Sequence, residues 1–216
     1  MNEVLLLPGM GADARLFAGL SGSASFTVPR WPQPLEGDSL QDFAARLAST
    51  VRSSPLIVGG VSFGGMVAVE LAAIVRPRAV ILIGSCSSPS SLARHLQVLG
   101  RAAVCLPDAA FRPRPRISPL LLPKFGELDA AQRQLFWSMA SSTSGAFIRW
   151  ACSAILRWLP CRLTTPVFHL HGARDRLIPI HRVQPTEVVP NGGHLLPLTH
   201  PDLVSSFVER VQRAVA

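Results

Sequence analysis

The feature that most constrains the fold is a five-residue pattern between a strand and a helix. Leu56 to Gly59 is wholly apolar and too short for a helix, so it is expected as a buried central strand. Gly60-Val61-Ser62-Phe63-Gly64 follows directly, and Phe63 to Val75 then reads as a helix that Pro77 stops. A Gly-x-Ser-x-Gly set in that position implies a sharp strand-to-helix turn, with the serine in strained backbone angles and no room for side chains beside it. Such a turn lifts the Ser62 hydroxyl above the carboxyl edge of the sheet, where open α/β sheets place their sites. The plain alternative is a glycine-rich connection with an idle serine.

The flanking sequence alternates short apolar runs with helical stretches, the signature of a mostly parallel sheet covered by helices. Val4 to Leu7, Phe26 to Val28 and Ala79 to Gly84 read as strands. Leu40 to Val51 reads as a helix with Leu40, Phe43, Ala44, Leu47 and Val51 on one face, capped by Asp38 or Ser39. From Ser87 to Pro160 no strand is expected. Ser90 to Leu106, Leu128 to Ser141 and Gly145 to Trp158 read as helices around the proline-rich stretch from Pro107 to Pro123. The strand pattern returns with Val167 to Leu170 and Glu187 to Val189, and a helix from Pro201 to Val215, capped by Thr199 or His200, closes the chain. The expectation is one domain over 1–216, with 87–160 inserted as a helical cap; a separate helical domain outside the chemistry is the alternative.

A serine hydroxyl needs a neighbouring base before it becomes a useful nucleophile. Of six histidines, His194 lies in Asn191-Gly192-Gly193-His194, a turn just after the last strand that can carry an imidazole over the sheet edge. His200 is second, though its place beside Pro201 suits a cap. His95 falls in a helix of the insertion, His169 within a strand, His171 at its end and His181 in the loop beyond Asp175. The base in turn needs a carboxylate to fix its tautomer and steady its positive charge. Asp175 occupies the turn His171-Gly172-Ala173-Arg174-Asp175, whereas the rival position after Gly84 reads Ser85-Cys86-Ser87-Ser88 and holds no acid. A surface aspartate paired with Arg174 or Arg176 is the competing reading of Asp175. Two backbone amides are expected to serve as oxyanion donors: that of Phe63, and that of Met10 in the turn Gly9-Met10-Gly11.

The order Ser62, Asp175, His194, each after its own strand, resembles the α/β-hydrolase family. Leu7 to Gly11, Gly60 to Gly65, His171 to Pro179 and Gly193 to Pro201 all look like its signature loops. The resemblance covers nearly the whole chain. It implies a parallel-rich sheet, a helical cap, hydrolysis through an acyl-enzyme, and neither cofactor nor metal. Val4 to Leu7 resembles the family's third strand, so the usual opening hairpin is expected to be missing; the segment from Asp175 to His194 leaves little room for a connecting helix, and Pro8-Gly9 replaces the usual His-Gly. These departures imply a trimmed sheet of about six strands.

Composition narrows the rest. Hydrophobic residues make up 48% and charged residues 16% of 216, the balance of a packed globule. No apolar run approaches the ~20 residues of a membrane span, and the first residues lack a secretory pattern, so no span and a cytoplasmic location are expected. The net charge of +8 raises the question of nucleic acid, but the arginines are dispersed, with one patch at Arg112, Arg114 and Arg116 and a single lysine, Lys124, so no nucleic-acid partner is expected. Cys86, Cys105, Cys152 and Cys161 read as buried free thiols. The expected activity is cleavage of a small-molecule acyl ester through an acyl-enzyme on Ser62. A thioesterase or acyltransferase with the same three residues, and a non-catalytic ligand-binding member of the fold, are the rivals. Leu96, Leu99, Phe111, Phe125, Phe136, Trp137, Phe147, Trp150 and Trp158 can line an acyl pocket, but most are expected to form the insertion's own core.

Overall fold

The computed structural model describes residues 4–22, 25–51, 56–103, 105–111 and 125–216. The arginine patch at 112, 114 and 116 and Lys124 lie outside them, as do the side chains of His95, Leu96 and Leu99. Six strands form one sheet: β1 (Val4–Leu7), β2 (Phe26–Thr27), β3 (Ile57–Val61), β4 (Ala79–Ile83), β5 (Val167–Gly172) and β6 (Glu187–Val189). Their order is β2-β1-β3-β4-β5-β6, and every pairing is parallel. The connection from β1 runs outward to β2, whereas β3 returns to the opposite side of β1. That reversal opens a crevice at the carboxyl ends of β1 and β3, the place where doubly wound sheets bind ligands.

The apolar runs are explained by burial on both faces. Every residue of β1, β3 and β4 is buried. Alternate residues feed two cores: Leu5, Leu7, Val58, Val80 and Leu82 on one side, and Val4, Leu6, Ile57, Ile81 and Ile83 on the other. Fully burying each such side chain contributes roughly 1.5–3 kcal/mol.

Helix α1 (Leu40–Thr50) buries Leu40, Phe43, Ala44 and Leu47 on the expected face. Ser39 caps it in a reciprocal box with Asp42, at 3.1 and 3.0 Å. Asp38 instead accepts from Leu35 N and pairs with Arg46, closing the preceding turn. Helix α2 (Phe63–Val75) is apolar nearly all round because it lies between the sheet, α1 and the insertion. Its single acid, Glu70, is only 3% exposed and accepts from Trp158 Nε1 at 2.6 Å and Cys161 N at 3.0 Å. That carboxylate fastens the chain as it returns from the insertion toward β5.

Between β4 and β5 run α3 (Arg94–Ala103), α4 (Ala130–Ser142) and α5 (Gly145–Leu156). Phe147 and Trp158 are buried against α2, with Trp150 packed beside them, whereas Phe125 and Phe136 join the opposite core. Helix α6 (Pro201–Val215) closes the chain and buries Val204, Phe207, Val208 and Val211.

Some boundaries differ from expectation. Strand β3 continues through Gly60 and Val61 because its ladder to β4 continues to Val61 and Ile83. Strand β5 runs to Gly172, which places His171 inside it, since pairing with β6 extends the ladder. Neither Thr199 nor His200 caps α6 through its side chain. A separate turn, Leu196–Thr199, precedes it, and the two side chains bond each other at 2.8 Å. All four cysteines are free, but Cys86 alone is buried; Cys105 is exposed in the turn after α3.

Candidate active site

Ser62 stands in the crevice between β1 and β3. Its φ of 54° and ψ of −121° lie outside the ordinary regions, a strain of about 1–3 kcal/mol that surrounding structure must hold in place. Three features hold it. The Ser62 N–H donates to Ile83 O at 3.1 Å, and the Ser85 hydroxyl donates to Ser62 O at 2.6 Å. The third is space: a Cβ on Gly60 would fall on the backbone of Gly64, and one on Gly64 would fall on the carbonyls of Leu7 and Pro8. The glycines of the motif are thus required by close backbone approach. The Ser62 hydroxyl makes no hydrogen bond among the described residues and stays partly exposed.

Asp175 and His194 form the other half. Asp175 does not pair with Arg174 or Arg176; Arg174 approaches Glu127 instead, at 4.0 Å. Its Oδ1 accepts from Leu177 N at 2.8 Å and Ile178 N at 2.9 Å, and its Oδ2 accepts from His194 Nδ1 at 2.7 Å. Both residues are buried, at 5% and 2% exposure, so the pair is shielded from competing water. Burial alone would push the Asp175 carboxyl up. The imidazole beside it, the hydrogen bond to that ring and the Ile178 N–H outweigh burial and hold it below the ordinary carboxylate value. With Nδ1 directed at a carboxylate, His194 presents Nε2 as the free nitrogen, the tautomer a general base requires.

The two halves meet at the carboxyl end of β4. Ser62 bonds the Ile83 carbonyl, and the next residue, Gly84, lies so close to the His194 carbonyl that a Cβ there would stand 2.7 Å from it. No hydrogen bond joins Ser62 Oγ to His194. In unliganded enzymes such contacts are commonly long and tighten with substrate. On the other side, the Cβ position of Gly9 is 3.7 Å from Ser62 Cβ, so the turn after β1 flanks the hydroxyl. The N–H groups of Met10 and Phe63 have no hydrogen-bond partner among the described residues. Unengaged amides at a sheet edge and a helix start are suited to an oxyanion.

Residues of the insertion surround these loops. The Phe125 carbonyl accepts from His194 N at 3.0 Å and Leu195 N at 3.3 Å. From α4, Ser138 accepts from Arg15 at 2.7 Å, and Ala140 packs 4.0 Å from the Cβ position of Gly11. From α5, the rings of Phe147 and Trp150 each lie 6.1 Å from that of Phe63. A cleft of about 600 Å³ between Ala93, Arg94 and the loop from Asp175 to Arg182 reaches Asp175 but neither Ser62 nor His194.

Sequence reasoning gave Ser85 no role and offered Phe125 only as a pocket-lining or core ring. Ser85 was visible only as part of an acid-free turn, and a carbonyl acceptor such as that of Phe125 leaves no signal in residue identity. The alternative base, His200, bonds its neighbour Thr199 and stays away from Asp175.

The alpha/beta hydrolase family profile matches residues 4–207. Among solved structures, a thermophilic esterase from Thermogutta terrifontis is 19% identical, with a TM-score of 0.77 over 100% of this chain and 90% of that one. A hydrolase from Oleispira antarctica is 14% identical, with a TM-score of 0.76 over 99% and 91%. An esterase from Exiguobacterium antarcticum is 16% identical, with a TM-score of 0.75 over 99% and 92%. No curated protein sequence matches. At such identities the structural likeness speaks for the fold, and the family profile spans almost the whole length including Ser62, Asp175 and His194. The chain belongs to the alpha/beta hydrolase family.

Proposed function

We propose that the protein hydrolyses carboxylic esters of small molecules through an acyl-enzyme on Ser62. The observation that carries this reading is the 2.7 Å bond between buried Asp175 and His194, at the same sheet edge as a serine held in strained geometry. In the first step His194 Nε2 takes the Ser62 proton as Oγ attacks the ester carbonyl. The negative oxygen that develops is met by the amides of Phe63 and Met10. His194 then returns the proton to the departing alcohol, and Asp175 steadies the imidazolium between the two transfers. Water, activated by the same imidazole, releases the acid and restores Ser62. Apart from substrate and that water, each step is carried by residues of the chain.

The block 87–160 acts in this reading as a cap within one domain. Its contacts with the His194 loop, the Gly9 to Gly11 turn and Phe63 support that role, because they tie the insertion to each part of the site. Purified protein assayed on short aryl esters and matched acyl thioesters tests the proposal. Turnover of the esters, lost in Ser62→Ala, is expected. Faster turnover of the thioesters would transfer the same machinery to a thioesterase, and no turnover of either would favour a ligand-binding role.

A further inference from the structure

We propose that His171, braced by His169, is a positioning residue that fixes Asp175 in the orientation His194 needs. The inference rests on the reading of Asp175 and His194 given above. The two rings project from the same face of β5, where Leu82 is the strand neighbour of His169. His171 is fully buried and His169 is 5% exposed. Polar rings in such a place must be hydrogen-bonded to be tolerated, and what they bond to is informative.

His171 Nε2 lies 2.8 Å from Ile178 O. A carbonyl only accepts, so this nitrogen carries the proton. In a neutral ring Nδ1 is then bare, and it accepts from His169 Nε2 at 3.0 Å. His169 is itself fastened at the start of β6 by Thr186: its N–H donates to Thr186 Oγ1 at 2.8 Å, and its carbonyl accepts from Thr186 N at 2.9 Å. At the other end, Ile178 N–H donates to Asp175 Oδ1 at 2.9 Å, and the opposite carboxylate oxygen takes His194 Nδ1 at 2.7 Å. Hydrogen bonds therefore lead from the His169 ring through the His171 ring to the carbonyl of Ile178, whose N–H grips the acid, while Thr186 anchors the His169 backbone.

His171 acts through Ile178, not on the carboxylate directly. Its Nε2 stands 3.6 Å from Asp175 Oδ2, beyond a hydrogen bond. Neutrality matters at that separation, because a cation there would compete with His194 for the negative charge. Burial favours the uncharged form of both rings, pushing His171 below its ordinary value and His169 down to about 3. A lysine or arginine at position 171 would lack this property.

The test compares His171→Phe, which fills the volume without either nitrogen, with His171→Gln, which keeps a donor for Ile178 O. Two readouts are followed in proteins shown folded by thermal melting: kcat and KM on a turned-over ester, and the low-field proton resonance of His194 Nδ1–H. His171→Phe is expected to lower kcat on the order of tenfold with KM little changed, since small misplacements of catalytic groups are costly. It is also expected to shift or broaden the resonance, and His171→Gln should restore most of both. Should His171→Phe fail to fold, His169→Phe is expected to produce the same changes at smaller size. An unchanged resonance in the folded variant, whatever happens to kcat, or failure of folded His171→Gln to restore it, would overturn the proposal, as would absence of the resonance from the unmodified protein. A protein that gives the resonance but turns over no acyl substrate would defeat the hydrolytic reading while leaving the NMR arm intact.

Discussion

The two halves of the candidate site are held in place by different physical means. Around Asp175 and His194, side-chain hydrogen bonds do the work: both carboxylate oxygens are engaged, the imidazole is buried, and Phe125 O holds the histidine's own backbone. Around Ser62 the hydroxyl is free, and geometry comes from backbone strain, the missing Cβ atoms of Gly60 and Gly64, and the bond from Ser85. A carboxylate and an imidazole held fast by side-chain bonds are thus paired with a hydroxyl on a rigid backbone that is free to rotate. The two halves are therefore expected to respond differently to mutation.

The largest effect is expected from Ser62→Ala, which should abolish nearly all ester turnover while thermal stability stays nearly unchanged, because alanine keeps the Cβ and the strained backbone, as read by kinetics and melting. Asp175→Asn comes next. It leaves the loop amides in place but offers the wrong partner to His194 Nδ1, and kcat should fall by roughly 10³–10⁴-fold with the fold retained. Gly64→Ala should damage activity and stability together, because the new methyl meets the Leu7 and Pro8 carbonyls; expression yield, melting and kcat should fall in parallel. If activity fell in Gly64→Ala with melting unchanged, the backbone would not be the constraint on the Ser62 half.

A smaller loss, about 0.5–1.5 kcal/mol of stability, is expected for Ser85→Ala, which removes the side-chain donor to the Ser62 carbonyl and leaves it the N–H groups of Gly65 and Met66. The smallest effect near neutral pH, growing as the solution is acidified, is a pH dependence of stability. His169 titrates near 6.5 when unfolded and near about 3 when folded, so the unfolded chain binds its proton first as pH falls. Stability is therefore whole above pH 6.5 and declines progressively from there toward pH 3. His169→Gln should flatten that decline in melting curves taken across the range. Asp175 contributes in the same direction lower down, its stabilisation present above 3.8 and lost as pH falls below it.

Much of the fold was legible because each face of the sheet is buried. The runs at Val4 to Leu7 and Ala79 to Gly84 carry no polar residue, and a chain of this kind can hide them only under helices. The motif around Ser62 was legible because steric demand writes itself as glycine. Asp175 and His194 were singled out by position after strands, and the fold brings them into hydrogen-bond contact. The extra reach of β5 was less visible: a histidine inside a buried strand reads as a strand end until its partners are known, and those of His171 are another histidine and a carbonyl. The role of Phe125 was hidden for the same reason, since backbone acceptors are common to every residue. Asp38 and Ser39 were equal cap candidates by type, and the difference lies in Arg46, nearly two turns into the helix, which draws Asp38 away.

Fluorophosphonate labelling reports directly on whether Ser62 is the nucleophile. Folded protein treated with a fluorophosphonate and digested for mass spectrometry should carry one adduct per chain, on Ser62. A label absent or placed on another residue would rule out Ser62 in that role.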